Sequence, residues 1–301
     1  MAFNKLVSFC LFAYNHEAFI KEAVESALRQ TYSPLEIIIS DDCSTDATFQ
    51  IITEITELYK GPHKIILNRN QHNIGLGGHF SHVCSNLSSG DYLVVLGGDD
   101  ISFDEHVQKA VEFIENNPEA LMVDFNGQVI DSNGKEMGIY QDLQFDEKRY
   151  FLTDYLKFRP IYSFAPGRIF KRALISEFDP ISINCPTEDT VIILRSLLLG
   201  GFMRANKSLV FYRQHENSLS STENRWISNL SIVSQYYLDI FKIFNEKRID
   251  EAKCDRLLQR INLEYKIRKA RYNKKRNESS FLINRVYLRL LKIYYSSSFS
   301  N

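Results

Sequence analysis

Three pairs of adjacent acids stand where chemistry could be done: Asp41-Asp42, Asp99-Asp100 and Glu188-Asp189. The first two follow runs of branched apolar residues, LEIIIS and DYLVVLGG, of the kind that fill buried strands. Carboxylates crowded together raise each other's pKa or recruit a cation. Oxygen ligands with no His or Cys alongside suit magnesium or manganese, which one or two carboxylates hold together with substrate phosphates. Gly97 and Gly98, ahead of the second pair, would let a ligand approach the backbone closely. Solvated turns and helix caps also favour Asp, and Asp46, ahead of a helical pattern, reads as a cap. In CPTEDTVIILRSLLLG the third pair opens an amphipathic helix, where acids complement the helix dipole. A carboxylate there could instead serve as general base toward a hydroxyl within hydrogen-bonding reach.

These acids need a scaffold, and the first hundred residues supply an alternation of strand and helix patterns. KLVSFCLFA is an apolar run ending at Tyr14-Asn15-His16-Glu17, as a buried parallel strand would. Ile20, Ala23, Val24, Ala27 and Leu28 share a helix face. The strand LEIIIS, a helix from about 47 to 59, the strand KIILN, a helical spacing over Phe80, Val83, Cys84 and Leu87, and the strand DYLVVL follow. A helix carrying Val107, Ala110, Val111 and Ile114 precedes Pro118, and ALMVDF is strand-like again. Such alternation predicts a parallel sheet covered by helices on both faces, with ligands bound at the C-terminal ends of its strands. The sheet should therefore bring Asp41-Asp42 and Asp99-Asp100 to one edge. DSNG predicts a hairpin turn, PIYSFAPGRIF reads as strand, SLVFY as another, and the chain from Arg225 reads as about three helices.

Bulk properties narrow the function. At 301 residues, 44% hydrophobic and 24% charged, the chain has an ordinary globular composition. No apolar run reaches the ~18 residues of a membrane-spanning helix, and MAFNKLVSFC does not read as a signal peptide, so a cytoplasmic protein is expected. Five scattered cysteines read as reduced thiols. The formal net charge of −1 conceals 13 Lys and Arg against three acids between Lys253 and Lys292. AYNHEAF contains no glycine where a dinucleotide turn needs GxGxxG, and NIGLGGH lacks the Lys-Ser/Thr of a phosphate-binding loop. Nucleic acid is a poor partner for the acidic body of this chain.

The segment VSFCLFAYNHEAFIKEAVESALRQTYSPLEIIISDDCSTDAT resembles the opening of the family 2 glycosyltransferases, inverting enzymes with the GT-A fold. NIGLGGH, SGDYLVVLGGDD, TEDTVIILRSLLLGG and YRQHENSLS follow in that family's order, so the resemblance extends from about Leu6 to Ser221. It implies an α/β fold, a mostly parallel Rossmann-like sheet flanked by helices, over residues 1–222, with a basic helical region over 223–301. It also implies that Ala13, Tyr14 and Asp42 contact the nucleotide base, with Asp41 and Asn73 beside them. Asp99 and Asp100 resemble the acidic pair that meets ribose, diphosphate and Mn2+ or Mg2+. Asp189 resembles the catalytic base, with Glu188 next to it, and Arg213 and His215 match a late motif near diphosphate or acceptor. Gly97 stands where many relatives carry another acid, and Gly78-His79 where they often carry arginine. For His16, His79 and His82 structural or surface roles are expected.

The activity so implied is metal-dependent transfer of one sugar from a nucleotide diphosphate sugar, a UDP-sugar, to a saccharide or lipid-linked saccharide in O-antigen or capsule synthesis. The rival from another class is a non-catalytic nucleotide-sugar-binding or scaffold protein, and a nucleotidyltransferase is a second enzyme rival. Arg285, Arg289 and Lys292 share one helix face, and Leu282, Val286, Leu290 and Ile293 form an apolar stripe. Such a helix could lie on the anionic cytoplasmic face of a membrane, pack on the catalytic domain or bind a partner.

Overall fold

The computed structural model describes residues 5–216 and 225–276. In chain order its elements are β1 (Val7–Ala13), α1 (Ile20–Leu28), β2 (Leu35–Asp41), α2 (Thr48–Leu58), β3 (Lys64–Arg69), α3 (Gly75–His82), β4 (Tyr92–Gly97), β5 (Ile101–Ser102), α4 (His106–Asn116) and β6 (Met122–Ile130). They continue as β7 (Glu136–Ile139), β8 (Glu147–Tyr150), α5 (Leu152–Leu156), β9 (Ile169–Lys171), α6 (Ala173–Ser176), α7 (Asp189–Leu199), β10 (Phe202–Arg213), α8 (Arg225–Asn245) and α9 (Glu251–Arg276). A π turn, Val83–Leu87, extends α3.

The strands form one curled sheet in the order β3-β2-β1-β4-β9-β6-β10-β5, with β7 on β6 and β8 on β10. β1 to β4 are mutually parallel, as the alternation predicts, and β10 runs parallel to β6. The short β9 joins these two parts, antiparallel to both β4 and β6. Strand residues alternate between two cores, as a two-residue period requires. Val7, Phe9 and Leu11 face one core with Ile20, Val24, Val107 and Val111 of α1 and α4. Cys10, Leu93 and Val95 face the other with Phe80, Leu174, Val191 and Ile192 of α3, α6 and α7. Ile232, Ile240, Leu257 and Ile261 of α8 and α9 join that second core.

Two segments differ from the sequence reading. PIYSFAPGRIF yields a strand only at Ile169–Lys171. Pro160 and Pro166 lack a backbone donor, Gly167 takes a φ of +74°, and the Phe164 N–H donates to the Asp124 carboxylate at 2.9 Å instead of to a neighbouring strand. SLVFY is the end of a twelve-residue strand that begins at Phe202. The expected boundary at 222/223 and the basic amphipathic helix around 282–293 lie outside the described residues.

Candidate functional site

Register makes the site. Ala13 pairs with Asp41 and Phe12 with Gly97, so the C-terminal ends of β1, β2 and β4 lie side by side and both acidic pairs reach one edge. The two pairs then meet different partners. Asp41 is buried, accepts hydrogen bonds from the Ser44 N–H at 2.9 Å and from the Ser44 hydroxyl, and faces Arg69 Nε at 3.4 Å. Asp42 accepts from Asn70 Nδ2 at 2.7 Å and from the N–H groups of Ile74 and Gly75, each at 3.0 Å. It thereby holds the N-terminus of α3, where orphan donors favour an anion. Asn73 Oδ1 accepts from the same Gly75 N–H at 2.9 Å, and the Asp42 N–H donates to the Ala13 carbonyl at 2.9 Å. Ala13, Tyr14, Asp41, Asp42 and Asn73 are therefore brought together, with the Tyr14 side chain exposed.

At the end of β4 the two acids diverge. β5, immediately after them, pairs Ile101 with Phe211 and Ser102 with Val210, which clasps the loop against β10. The end of β10 then brings Arg213 and His215 onto residues more than a hundred positions earlier. Asp100 is buried and accepts from the Arg213 N–H at 2.9 Å. Burial, followed by repulsion from Asp99, pushes its carboxyl well above the usual range, only partly offset by Arg213. Asp99 retains 20% side-chain exposure, with Oδ2 at 3.2 Å from His215 Nε2. Burial acts to raise its pKa, but the His215 hydrogen bond and the nearby His16 outweigh burial and leave it lowered.

Arg213 is a buried brace. Its Nε donates to the Asp99 carbonyl at 3.0 Å, Nη1 donates to the carbonyls of Asp131 and Ser132, and Nη2 pairs with Glu22. The Phe19 ring lies against both the Arg213 guanidinium, at 4.9 Å, and the His215 ring, at 4.7 Å. Gly97 and Gly98 serve this crowding. A Cβ on Gly97 would fall 2.6 Å from Asp99 Oδ1, and one on Gly98 2.7 Å from His16 Nδ1.

Glu188 and Asp189 lie where the sequence places them, at the start of α7. Arg168 secures them. Its guanidinium grips Asp124 through Nε at 2.7 Å and Nη2 at 2.9 Å, while Nη1 donates to the Asp189 carbonyl at 3.0 Å. Arg168 in turn is tied to β4, its carbonyl accepting from the Val95 N–H at 3.2 Å. The loop before α7 packs on the glycine-rich α3, where a Cβ on Gly77 would come 2.2 Å from the Cys185 carbonyl oxygen. Glu188 Oε2 is buried with no partner. Burial first, and Asp189 second, push the Glu188 carboxyl well above its ordinary range.

Of the histidines, His79 is structural: Nε2 lies 2.6 Å from Ser40 Oγ, and burial lowers its pKa to about 4. His16, expected to be structural or superficial, has a buried, unpartnered Nδ1 beside the Asp99 loop. Sequence reasoning also missed Arg168 and Asp124, since an arginine in an apolar, strand-like run carries no periodic signal.

A cation has a partial cradle here. Among the described residues no three His, Cys, Asp or Glu side chains converge on one point. Asp99 and His215 fit one carboxylate and one imidazole of a shell that substrate phosphates would complete. Asp100, the other acid of the expected pair, has Oδ1 bonded to the Arg213 N–H.

The family model described as Glycosyl transferase family 2 matches residues 8–178. An uncharacterised Mycobacterium tuberculosis protein is 29% identical over 209 residues, 69% of this chain and 58% of its own. The poly(ribitol-phosphate) beta-N-acetylglucosaminyltransferase TarS of Staphylococcus aureus is 24% identical over 81% of this chain and 41% of its own. The chain thus spans about half the length of these curated relatives. The crystal structure of TarS residues 1–349 with UDP-GlcNAc superposes with a TM-score of 0.65 at 20% identity, covering 97% of this chain and 80% of that one. A Pyrobaculum calidifontis mannosyltransferase in complex with GDP-Man and Mn2+ gives 0.55 at 10% identity, covering 98% and 87%. At these identities the superpositions establish the GT-A fold.

Proposed function

The chain belongs to glycosyl transferase family 2, and from that premise we propose that it transfers a sugar from a UDP-sugar to an acceptor hydroxyl with inversion at the anomeric carbon. The observation that carries this reading is the convergence of β2, β4 and β10 on one edge, with the Glu188-Asp189 end of α7 tied back to β4 through Arg168. The UDP and UDP-GlcNAc complexes of TarS support the choice of donor.

In this mechanism Ala13, Tyr14 and Asp42 border the nucleotide base, with Asp41 and Asn73 shaping that end of the cleft. Asp189 takes the proton from the acceptor hydroxyl while its oxygen attacks the anomeric carbon from the face opposite the diphosphate. In-line displacement breaks the bond to the diphosphate, and UDP departs with the bonding pair. Burial and the neighbouring Asp189 push the Glu188 carboxyl upward, which disfavours a second negative charge beside the base. His215 and Asp99 face the departing diphosphate, and Arg213 fixes the backbone that carries them. A manganese or magnesium ion held by Asp99, when bound, supplies Lewis-acid neutralisation of charge on the diphosphate. Asp100 supports the loop from below.

The acceptor in this proposal is a saccharide, free or lipid-linked, of a bacterial surface polysaccharide such as O-antigen or capsule, assembled in the cytoplasm or at the cytoplasmic face of the membrane. The name of TarS, a poly(ribitol-phosphate) beta-N-acetylglucosaminyltransferase, supports a polymeric acceptor. UDP release from a panel of UDP-sugars in the presence of oligosaccharide acceptors tests the reading. Asp189→Asn should lower turnover by roughly 10²- to 10⁴-fold while UDP binding persists. Turnover near the parent level in that variant would remove Asp189 as the base.

A further inference from the structure

We propose that Asn15 positions the nucleotide base of the donor, by locking the loop that carries Tyr14 to the loop that follows Asp42; the proposal rests on the transferase reading above. The two loops leave neighbouring parallel strands. Their sheet pairing ends at Ala13 and Asp41, and the Asp42 N–H closes it by donating to the Ala13 carbonyl at 2.9 Å. Beyond that point each loop turns through a left-handed residue, Asn15 at a φ of +54° and Cys43 at +63°. Asparagine takes this conformation more readily than most side chains, because its short amide can bond nearby backbone.

Side-chain bonds take over where the ladder stops. Asn15 Oδ1 accepts from the Thr45 N–H at 2.9 Å and from the Thr45 hydroxyl at 3.3 Å, and the Asn15 N–H donates to Ser44 Oγ at 2.9 Å. The Ser44 hydroxyl donates in turn to the buried Asp41 carboxylate, so one oxygen links the Asn15 backbone to the first acidic pair. The next two residues continue the clasp. The His16 N–H donates to Thr48 Oγ1 at 2.7 Å. The Glu17 N–H donates to Asp46 Oδ2 at 3.1 Å, and Glu17 Oε2 accepts from the Ala47 N–H at 3.0 Å.

Burial contributes little to this geometry. Asn15, Glu17 and Thr45 are exposed, and Tyr14 is 43% exposed, so hydrogen bonds hold the rim that packing would hold elsewhere. The Asp42 side of the cleft has its own anchor in Asn70 and the N-terminus of α3. Asn15 therefore governs the Tyr14 side, and the gap between Tyr14 and Asp42 that receives the base follows from its bonds. Asp99 and His215, facing the diphosphate, stand on the ends of β4 and β10, outside the clasp.

Calorimetric titrations of the full chain with UMP, and with UDP in the presence and absence of manganese, on the parent, Asn15→Gly and Asn15→Asp test this role. Glycine keeps the left-handed backbone and deletes the amide, whereas aspartate keeps an oxygen at the Oδ1 position. Asn15→Gly should weaken UMP and UDP by the same factor, roughly three- to tenfold, with Asn15→Asp within about twofold of the parent. The gain that manganese gives to UDP binding should persist in both variants. A variant that only folds poorly lowers the binding stoichiometry and leaves the affinity of the folded fraction unchanged. Affinities unchanged in Asn15→Gly, a loss confined to UDP, or Asn15→Asp binding as weakly as Asn15→Gly overturns the positioning role. Absence of UMP and UDP binding in the parent would sink the donor reading and this role with it, whereas parent binding that Asn15→Gly leaves intact sinks this role alone.

Discussion

Glu188 and Asp189 are adjacent in sequence and opposite in circumstance. Glu188 has a buried oxygen with no partner and a raised pKa, whereas Asp189 has its backbone carbonyl anchored by Arg168. The raised value makes a stability prediction. The folded state holds the Glu188 proton at pH values where the unfolded chain has released it. Its contribution is therefore complete below the ordinary glutamate pKa and is lost as pH rises toward the folded value. Glu188→Gln, which keeps the shape and removes the ionisation, should unfold at a midpoint that falls less than the parent's between mildly acidic and mildly alkaline pH. Parallel pH profiles in denaturant melts would contradict the assigned burial. At this scale the sequence exposed all three acidic pairs, since adjacent acids after apolar runs are visible in one dimension. It did not expose the Asp124–Arg168 grip or the partner of Arg213 at Glu22 on α1, because those contacts join segments distant in the chain.

At the scale of elements, the glycine-rich stretch after the third strand changes meaning. NIGLGGH is no phosphate loop; it opens α3, whose N-terminus Asp42 holds, and its bare face admits the loop that leads to Glu188. Gly77→Ala would drive a methyl group against the Cys185 carbonyl, a backbone atom with little room to yield. The expected cost is about 1–3 kcal/mol of stability, measured by denaturant unfolding, with a fall in turnover because the loop before the base must shift. Full activity at parent stability would mean that this packing does not position α7. The helix and strand periods of the first hundred residues were legible because each element there is buried on a regular face. The segment before β9 was not, because its apolar residues follow side-chain contacts and two prolines instead of a ladder.

Across the whole molecule, the basic C-terminal region is built into the sheet-bearing body as far as it is described. Arg195 of α7 grips Asp239 of α8 at 2.7 and 3.0 Å with both side chains almost fully buried, and Gln235 donates to the same carboxylate at 2.9 Å. Removing one partner of such a pair strands a buried charge and costs ~3–5 kcal/mol. Asp239→Leu should therefore lower stability by that amount in a single transition shared by sheet and C-terminal helices. A separate early transition would show the helices to be an independent unit. The sequence marked this region as helical and basic, but pairing between α7 and α8 left no pattern in it. Among the described residues no helix is long and apolar enough to cross a membrane. A nucleotide-diphosphate site formed by the strand ends around Asp99 is tested by calorimetric titration with UDP, with and without manganese, on the parent and on Asp99→Asn. Binding strengthened by manganese in the parent, with that gain lost in Asp99→Asn, is the predicted result. No UDP binding in either condition, or manganese-strengthened binding unchanged by the substitution, would rule out that site.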